Sequence, residues 1–125
     1  MAIITEDYVS FETAKLLKEK GFNEGCRAHY GTDGSFSYEK YEVEASGCEM
    51  HNAILAPTHQ MVMKWLREEY NIHIEPRYFP TPNIYRYVII RLPFTRENID
   101  SHPQYFNSYE EAVEAGIKYC LENLI

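Results

Sequence analysis

The sequence predicts an α+β fold: a small, mostly antiparallel sheet with about three packed helices, in the order helix, strands, helix, strands, helix. Three stretches place apolar residues at helical spacing beside recognisable caps. Between them lie short runs rich in aromatic and β-branched residues, each bounded by Gly, Pro or Asn. No internal repeat interrupts this order.

The first helix is expected within Val9–Phe22. Ser10 is its N-cap, and Val9 can reach Ala14 as a staple. Gly21 stands where a left-handed C′ residue is needed, and Phe22 can fold back on Leu17. Lys15, Lys18 and Lys20 lie in the later turns, where cations suit the helix dipole, and read as a solvated face. Cys26–Tyr30 and Phe36–Val43 read as two strands joined by the turn Gly31-Thr32-Asp33-Gly34. Glu44–Asn52 is polar and reads as loop. Ala53-Ile54-Leu55 is a brief strand.

The second helix runs through PTHQMVMKWLREEY, Pro57 to Tyr70, and holds the single tryptophan. Met61, Val62, Trp65, Leu66 and Tyr70 fall on one face. Thr58 is the expected N-cap, Asn71 can end the helix in the left-handed region, and His59 is expected to face solvent. Ile72–Glu75 is a strand. Pro76, Pro80 and Pro82 then predict a loop or irregular edge over Arg77–Asn83. Ile84–Leu92 is the richest strand, and a polar connection follows it. In the last helix Ser108 and Glu111 form a capping box. Tyr109, Ala112, Val113, Gly116, Ile117, Cys120, Leu121 and Leu124 form its apolar stripe.

At 125 residues, with 45% hydrophobic and 25% charged, the chain predicts one folded domain over residues 1–125. The formal charge of -7 opposes phosphate backbones. The opening MAIITEDYV has no basic n-region, and the longest apolar runs are too short to span a bilayer. Three cysteines make no disulfide framework. These features predict a soluble cytoplasmic protein with reduced thiols and no membrane partner.

Three segments carry a resemblance: SFETAKLLKEKGF, APTHQMVMKWLREEYNIHI and SYEEAVEAGIKYCLENLI. Together they resemble a family of short proteins from gut Bacteroidales bacteria and their phages and mobile elements. The resemblance covers most of the chain but leaves Cys26–Asn52 and the Pro-rich loop poorly matched. It implies a setting, an accessory gene that is often mobile. It carries over no reaction and no functional residue.

The sharpest chemical pattern is GCRAHYG with GCEMHNA. Cys26 and His29 are spaced C-x2-H, and Cys48 and His51 repeat the spacing. Four such ligands suit tetrahedral zinc, and the glycine before each cysteine lets the backbone turn around a metal. Against this, residues three apart on a strand point to opposite faces, so Cys26 and His29 diverge unless a bulge intervenes. The bland reading is two half-buried thiols and two surface imidazoles.

A thiol–imidazole nucleophile, Cys26 or Cys48 with one of five histidines, lacks any local signature. No phosphate-binding glycine loop or hydrolase motif is present. Lys64, Arg67 and Arg77 near Tyr78 and Phe79 resemble a single-strand stacking surface, but Glu68, Glu69 and Glu75 cancel the field.

The leading expectation is a non-enzymatic protein–protein interaction module, with a zinc-stabilised domain and a single-stranded nucleic-acid binder as alternatives. Eleven tyrosines and six phenylalanines exceed what one small core needs, and tyrosine is favoured at interfaces. The interaction candidates are Tyr85, Tyr87 and Ile89 on one face of Ile84–Leu92. Both faces of that strand are largely apolar. Either the first helix covers the Tyr85–Tyr87 face or a partner does, and a two-fold dimer is the simplest such assembly.

Overall fold

A computed structural model describes residues 6–44, 47, 52–93, 99–101 and 104–125. The α+β class and the order helix, strands, helix, strands, helix hold. The strands form two three-stranded antiparallel sheets. They belong to two units, Met1–His59 and Gln60–Ile125.

In the first unit α1 spans Phe11–Glu19. Ser10 is extended, and its Oγ accepts from Thr13 N at 3.2 Å, satisfying an otherwise orphaned donor. At the other end Gly21 takes φ +88. Phe22 N donates to Leu17 O at 3.0 Å and Gly21 N to Lys18 O at 3.2 Å, which is the Schellman closure. Val9, Ala14 and Leu17 are buried.

Strands β1 (Cys26–Tyr30) and β2 (Phe36–Val43) form the expected hairpin, and β3 (Ile54–Leu55) pairs on the far side of β1. The order β2-β1-β3 leaves β2 at an edge. Near the turn the pairing is regular, with Tyr30 opposite Phe36 and Ala28 opposite Tyr38. Beyond it the register shifts, and Cys26 meets Val43. The extra residues lie in β2, so β1 keeps its alternation. The chain before α1 is tied to the segment after β3: Val9 N donates to Pro57 O and His59 N to Asp7 O.

Helix α2 (His59–Tyr70) belongs to the second unit except for its first residue. Val62, Met63, Trp65 and Leu66 are buried, while Tyr70 is exposed with its ring edge-on to Trp65. Asn71 ends the helix at φ 57. His59 is buried rather than solvent-facing, because its backbone is held to the Asp7 segment at the helix start.

The second sheet has the order β4-β5-β6: β4 (Ile72–Phe79), β5 (Ile84–Arg91) and β6 (Ile99–Ser101). Strand β4 runs through Pro76 to Phe79, four residues beyond the expected end at Glu75. It is an edge strand, so a missing N–H facing outward breaks no ladder. Pairing continues from Ile72 opposite Arg91 to Phe79 opposite Ile84. Asn83, at φ 71, turns the hairpin. Beyond β6 the chain returns to β5, where Tyr85 and Phe106 exchange two backbone hydrogen bonds of 2.8 Å.

Helix α3 (Tyr109–Asn123) lies on β4 and β5. Ser108 Oγ accepts from Glu111 N at 3.1 Å. The returning carboxylate accepts from Asn107 N, one residue earlier than a standard capping box. Ala112, Val113, Gly116, Ile117, Cys120 and Leu121 are buried. Among the described residues no helix is long and apolar enough to cross a membrane.

Candidate interaction surfaces

Cross-strand partners share a face, so the register sorts the side chains of each sheet. In the first sheet Tyr30, Phe36 and Tyr38 fall together, and His29 and Ser37 fall opposite. The Gly31–Gly34 turn that joins the strands is closed by Gly31 N to Ser35 O at 2.8 Å. Asp33 Oδ1 accepts from both the hydroxyl and the backbone of Ser35, which lowers the Asp33 pKa. Gly34 lies directly on the Phe11 ring, where a Cβ would come within 3.2 Å.

Five rings run in a continuous row along this face. Centroid separations are 5.5 Å for Phe11–Tyr30, 5.5 Å for Tyr30–Phe36, 5.3 Å for Phe36–Tyr8 and 6.3 Å for Tyr8–Tyr38. A cation closes each end: Lys15 Nζ is 4.6 Å from the Phe11 centroid and the Arg27 guanidinium 4.8 Å from that of Tyr38. Such ring pairs are worth about 0.5–1.5 kcal/mol beyond their burial, so the row is ordered. Partial burial, with Tyr38 and Glu6 nearby, raises the Tyr8 pKa. Tyr30 is fixed by its hydroxyl, which donates to Val9 O at 2.6 Å. The row is nonetheless open to solvent: Phe36 is 47% exposed and Tyr38 52%, and Tyr41 further along β2 is 75% exposed. Every residue of β2 before Val43 is exposed.

Cys26 and His29 do not converge. Alternation along β1 puts Cys26 on the face of Ala28, where it is buried, and His29 on the opposite face. The register shift that could have reunited them is accommodated in β2 instead. Cys26 Sγ donates to Glu24 O at 3.3 Å. His29 Nε2 lies 3.9 Å from Glu39 Oε1, while its buried Nδ1 has no hydrogen-bond partner among the described residues. Cys48 and His51, the other half of the zinc pattern, lie outside the described residues. Among the described residues no group of three or more His, Cys, Asp or Glu could hold a metal. Burial first, and then Asp100, push the Cys120 thiol up to about 12, which disfavours its thiolate.

In the second sheet Ile74, Ile89, Tyr87, Tyr78 and Tyr85 share the face that α3 covers. Tyr87 and Ile89 are buried there, and Tyr85 stacks edge-on with Tyr109 of α3. The expectation that this face meets α1 or a partner is corrected, because α3 occupies it. Gly116 makes the close approach feasible, with Ile74 and Tyr87 directly beneath it.

The opposite face carries His73, Glu75, Arg77 and Phe79 from β4 and Ile84, Arg86, Val88 and Ile90 from β5. Here Arg86 lies directly across from Arg77. Glu75 binds Arg77 through contacts of 3.2 and 3.4 Å. The Arg86 guanidinium is flanked by two rings, 5.2 Å from the Phe79 centroid and 4.3 Å from that of Tyr105. Its Nε is buried with no hydrogen-bond partner among the described residues. An unmet buried donor costs about 1–3 kcal/mol, and like charges directly opposite are unfavourable, so two costs coincide at one place. Of the three basic residues expected to hold a single strand, Lys64 faces Glu68 at 4.0 Å and Arg77 faces Glu75 at 3.2 Å.

Compared with protein-family models, with curated proteins and with solved structures, the chain matches none. Two features escaped sequence reasoning. Phe36, Tyr38 and Tyr41 read as ordinary strand aromatics, although the polar residues on both faces of FSYEKYEV already mark that strand as exposed. Tyr105 reaches Arg86 only because Phe106 pairs with Tyr85, a contact with no local signal.

Proposed function

We propose that this chain is a non-enzymatic interaction module that contacts a protein partner through the exposed aromatic residues of β2 and the ring row they join. The observation that carries the reading is the exposure of Phe36, Tyr38 and Tyr41 on an edge strand. Large rings held rigidly at a surface supply apolar contact area at little further entropic cost. Lys15 and Arg27 at the ends of the row, and Glu39, Lys40 and Glu42 along β2, provide the polar rim that interfaces share. The resemblance of SFETAKLLKEKGF and its companion segments to accessory proteins of Bacteroidales, phages and mobile elements supports a partner from that setting.

The test is site-specific photo-crosslinking in the native host. A photoreactive residue replaces Tyr41, and the same residue at exposed Glu122 serves as the control. The expected outcome is one discrete crosslinked protein from Tyr41, none from Glu122, and loss of the product in Phe36→Ser/Tyr38→Ser. Identical products from both positions, or a product unaffected by the double substitution, would remove the reading.

A further inference from the structure

We propose that the face of the β4-β5-β6 sheet away from α3 carries, at its Arg86 end, a binding site for a carboxylate, built on Arg86 and Arg77. Arg86 stands between Phe79 on β4 and Tyr105 on the other side of β5. Both rings hold the guanidinium at cation–π distance, and with Nε buried its Nη groups are the donors left for recognition. A planar fork of donors held in place by two rings suits a planar oxyanion. Arg86 is only partly exposed, and it makes no hydrogen bond or ion pair with any described acid. Among the described residues its charge is therefore unmatched, whereas that of Arg77 is matched by Glu75.

Charge decides between ligand classes. Among the described residues of this face, two guanidiniums against one carboxylate leave a single positive charge. A monoanion balances it. A phosphate dianion leaves an excess negative charge on a chain whose formal charge is already -7. Phe79 and Tyr105 are 38% and 58% exposed, so the site has apolar shoulders for the stem that bears the carboxylate. The two sources of such a group are a small molecule and a peptide C-terminus.

The test is an NMR titration of the isotope-labelled full chain with sodium benzoate, read at the Arg86 Nε–H resonance. Benzamide, inorganic phosphate and chloride at matched ionic strength are the comparisons. Benzoate is expected to move that resonance along a saturating curve, and benzamide to leave it in place. Arg77→Gln should weaken binding about threefold, and Arg86→Gln at least tenfold. Arg86→Lys should fail as badly as Arg86→Gln, since an ammonium keeps the charge without the planar fork. If Arg86→Gln does not fold, the Arg77→Gln and Arg86→Lys results decide. A peptide with a free C-terminus that binds tenfold better than benzoate, and loses this on amidation, makes a chain terminus the source; equal affinities make it a small molecule. No saturable shift with benzoate, full binding by Arg86→Lys, or tighter binding of phosphate would overturn the proposal.

Discussion

Gly116 of α3 meets Tyr87 of β5 through the side chain it lacks. A Cβ on Gly116 would stand 3.2 Å from Tyr87 Cγ and 3.0 Å from Ile74 Cγ2. The helix can therefore seat on the sheet only where this glycine lets the two backbones close. Gly116→Leu is expected to destabilise the protein by about 1–3 kcal/mol through overpacking, net of the roughly 1 kcal/mol that leucine's helix propensity returns. Urea denaturation measures the difference. An unchanged midpoint would show that α3 does not sit on Tyr87.

Trp65 is 8% exposed within α2 and stacks edge-on with Tyr70 at 5.2 Å. Trp65→Ala removes the largest side chain in the protein. A loss of roughly 3–5 kcal/mol is expected, which is a large part of the roughly 5–15 kcal/mol a domain holds. A change below about 1 kcal/mol would make the ring a surface feature.

Truncation before Ser108 strips α3 from β4 and β5. Val113, Ile117 and Leu121 are fully buried, and each contributes about 1.5–3 kcal/mol. Their loss also bares Tyr87, Ile89 and Ile74 to water. The fragment 1–107 is expected to aggregate or to lack a cooperative thermal transition. A soluble fragment with a sharp transition would refute the role given to α3.

What the sequence made legible was local. Ser10, Gly21, Asn71 and Ser108 act within one turn of their own helices, so each cap could be placed from neighbouring residues. The β1–β2 hairpin was legible for the same reason, its turn being written in Gly31 to Gly34. What remained hidden depended on distant partners. Pro76 looked like a strand stop because its chain neighbours do not say that β4 is an edge. Tyr85, Tyr87 and Ile89 looked like a surface because the period of β5 does not say which helix will cover it. The candidate sites followed the same rule. Alternation along β1 correctly warned that Cys26 and His29 diverge, whereas the Arg86–Tyr105 contact needed a return of the chain that no pattern announces.

The α3 interface also makes stability depend on alkaline pH. Burial is the first cause raising Tyr87 from 10.0 to about 12, followed by Cys120, Tyr119 and Asp100. Burial likewise raises Cys120 from 9.0 to about 12, with Asp100 second. Both groups are neutral when protonated, and the folded state holds their protons more tightly than the unfolded chain does. Above pH 9 the unfolded chain begins to release protons that the folded state keeps, so stability falls as pH rises. The contribution is whole below about pH 9 and is lost progressively towards about pH 12. Each group adds a slope of up to about 1.4 kcal/mol per pH unit once its unfolded form titrates. Melting temperatures followed from neutral pH upward should hold level and then drop, first from the thiol and then from the phenol. Cys120→Ala should remove the earlier part of the drop, and Tyr87→Phe the later part. A wild-type profile that stays level through the alkaline range would mean that neither group is buried where α3 meets β5.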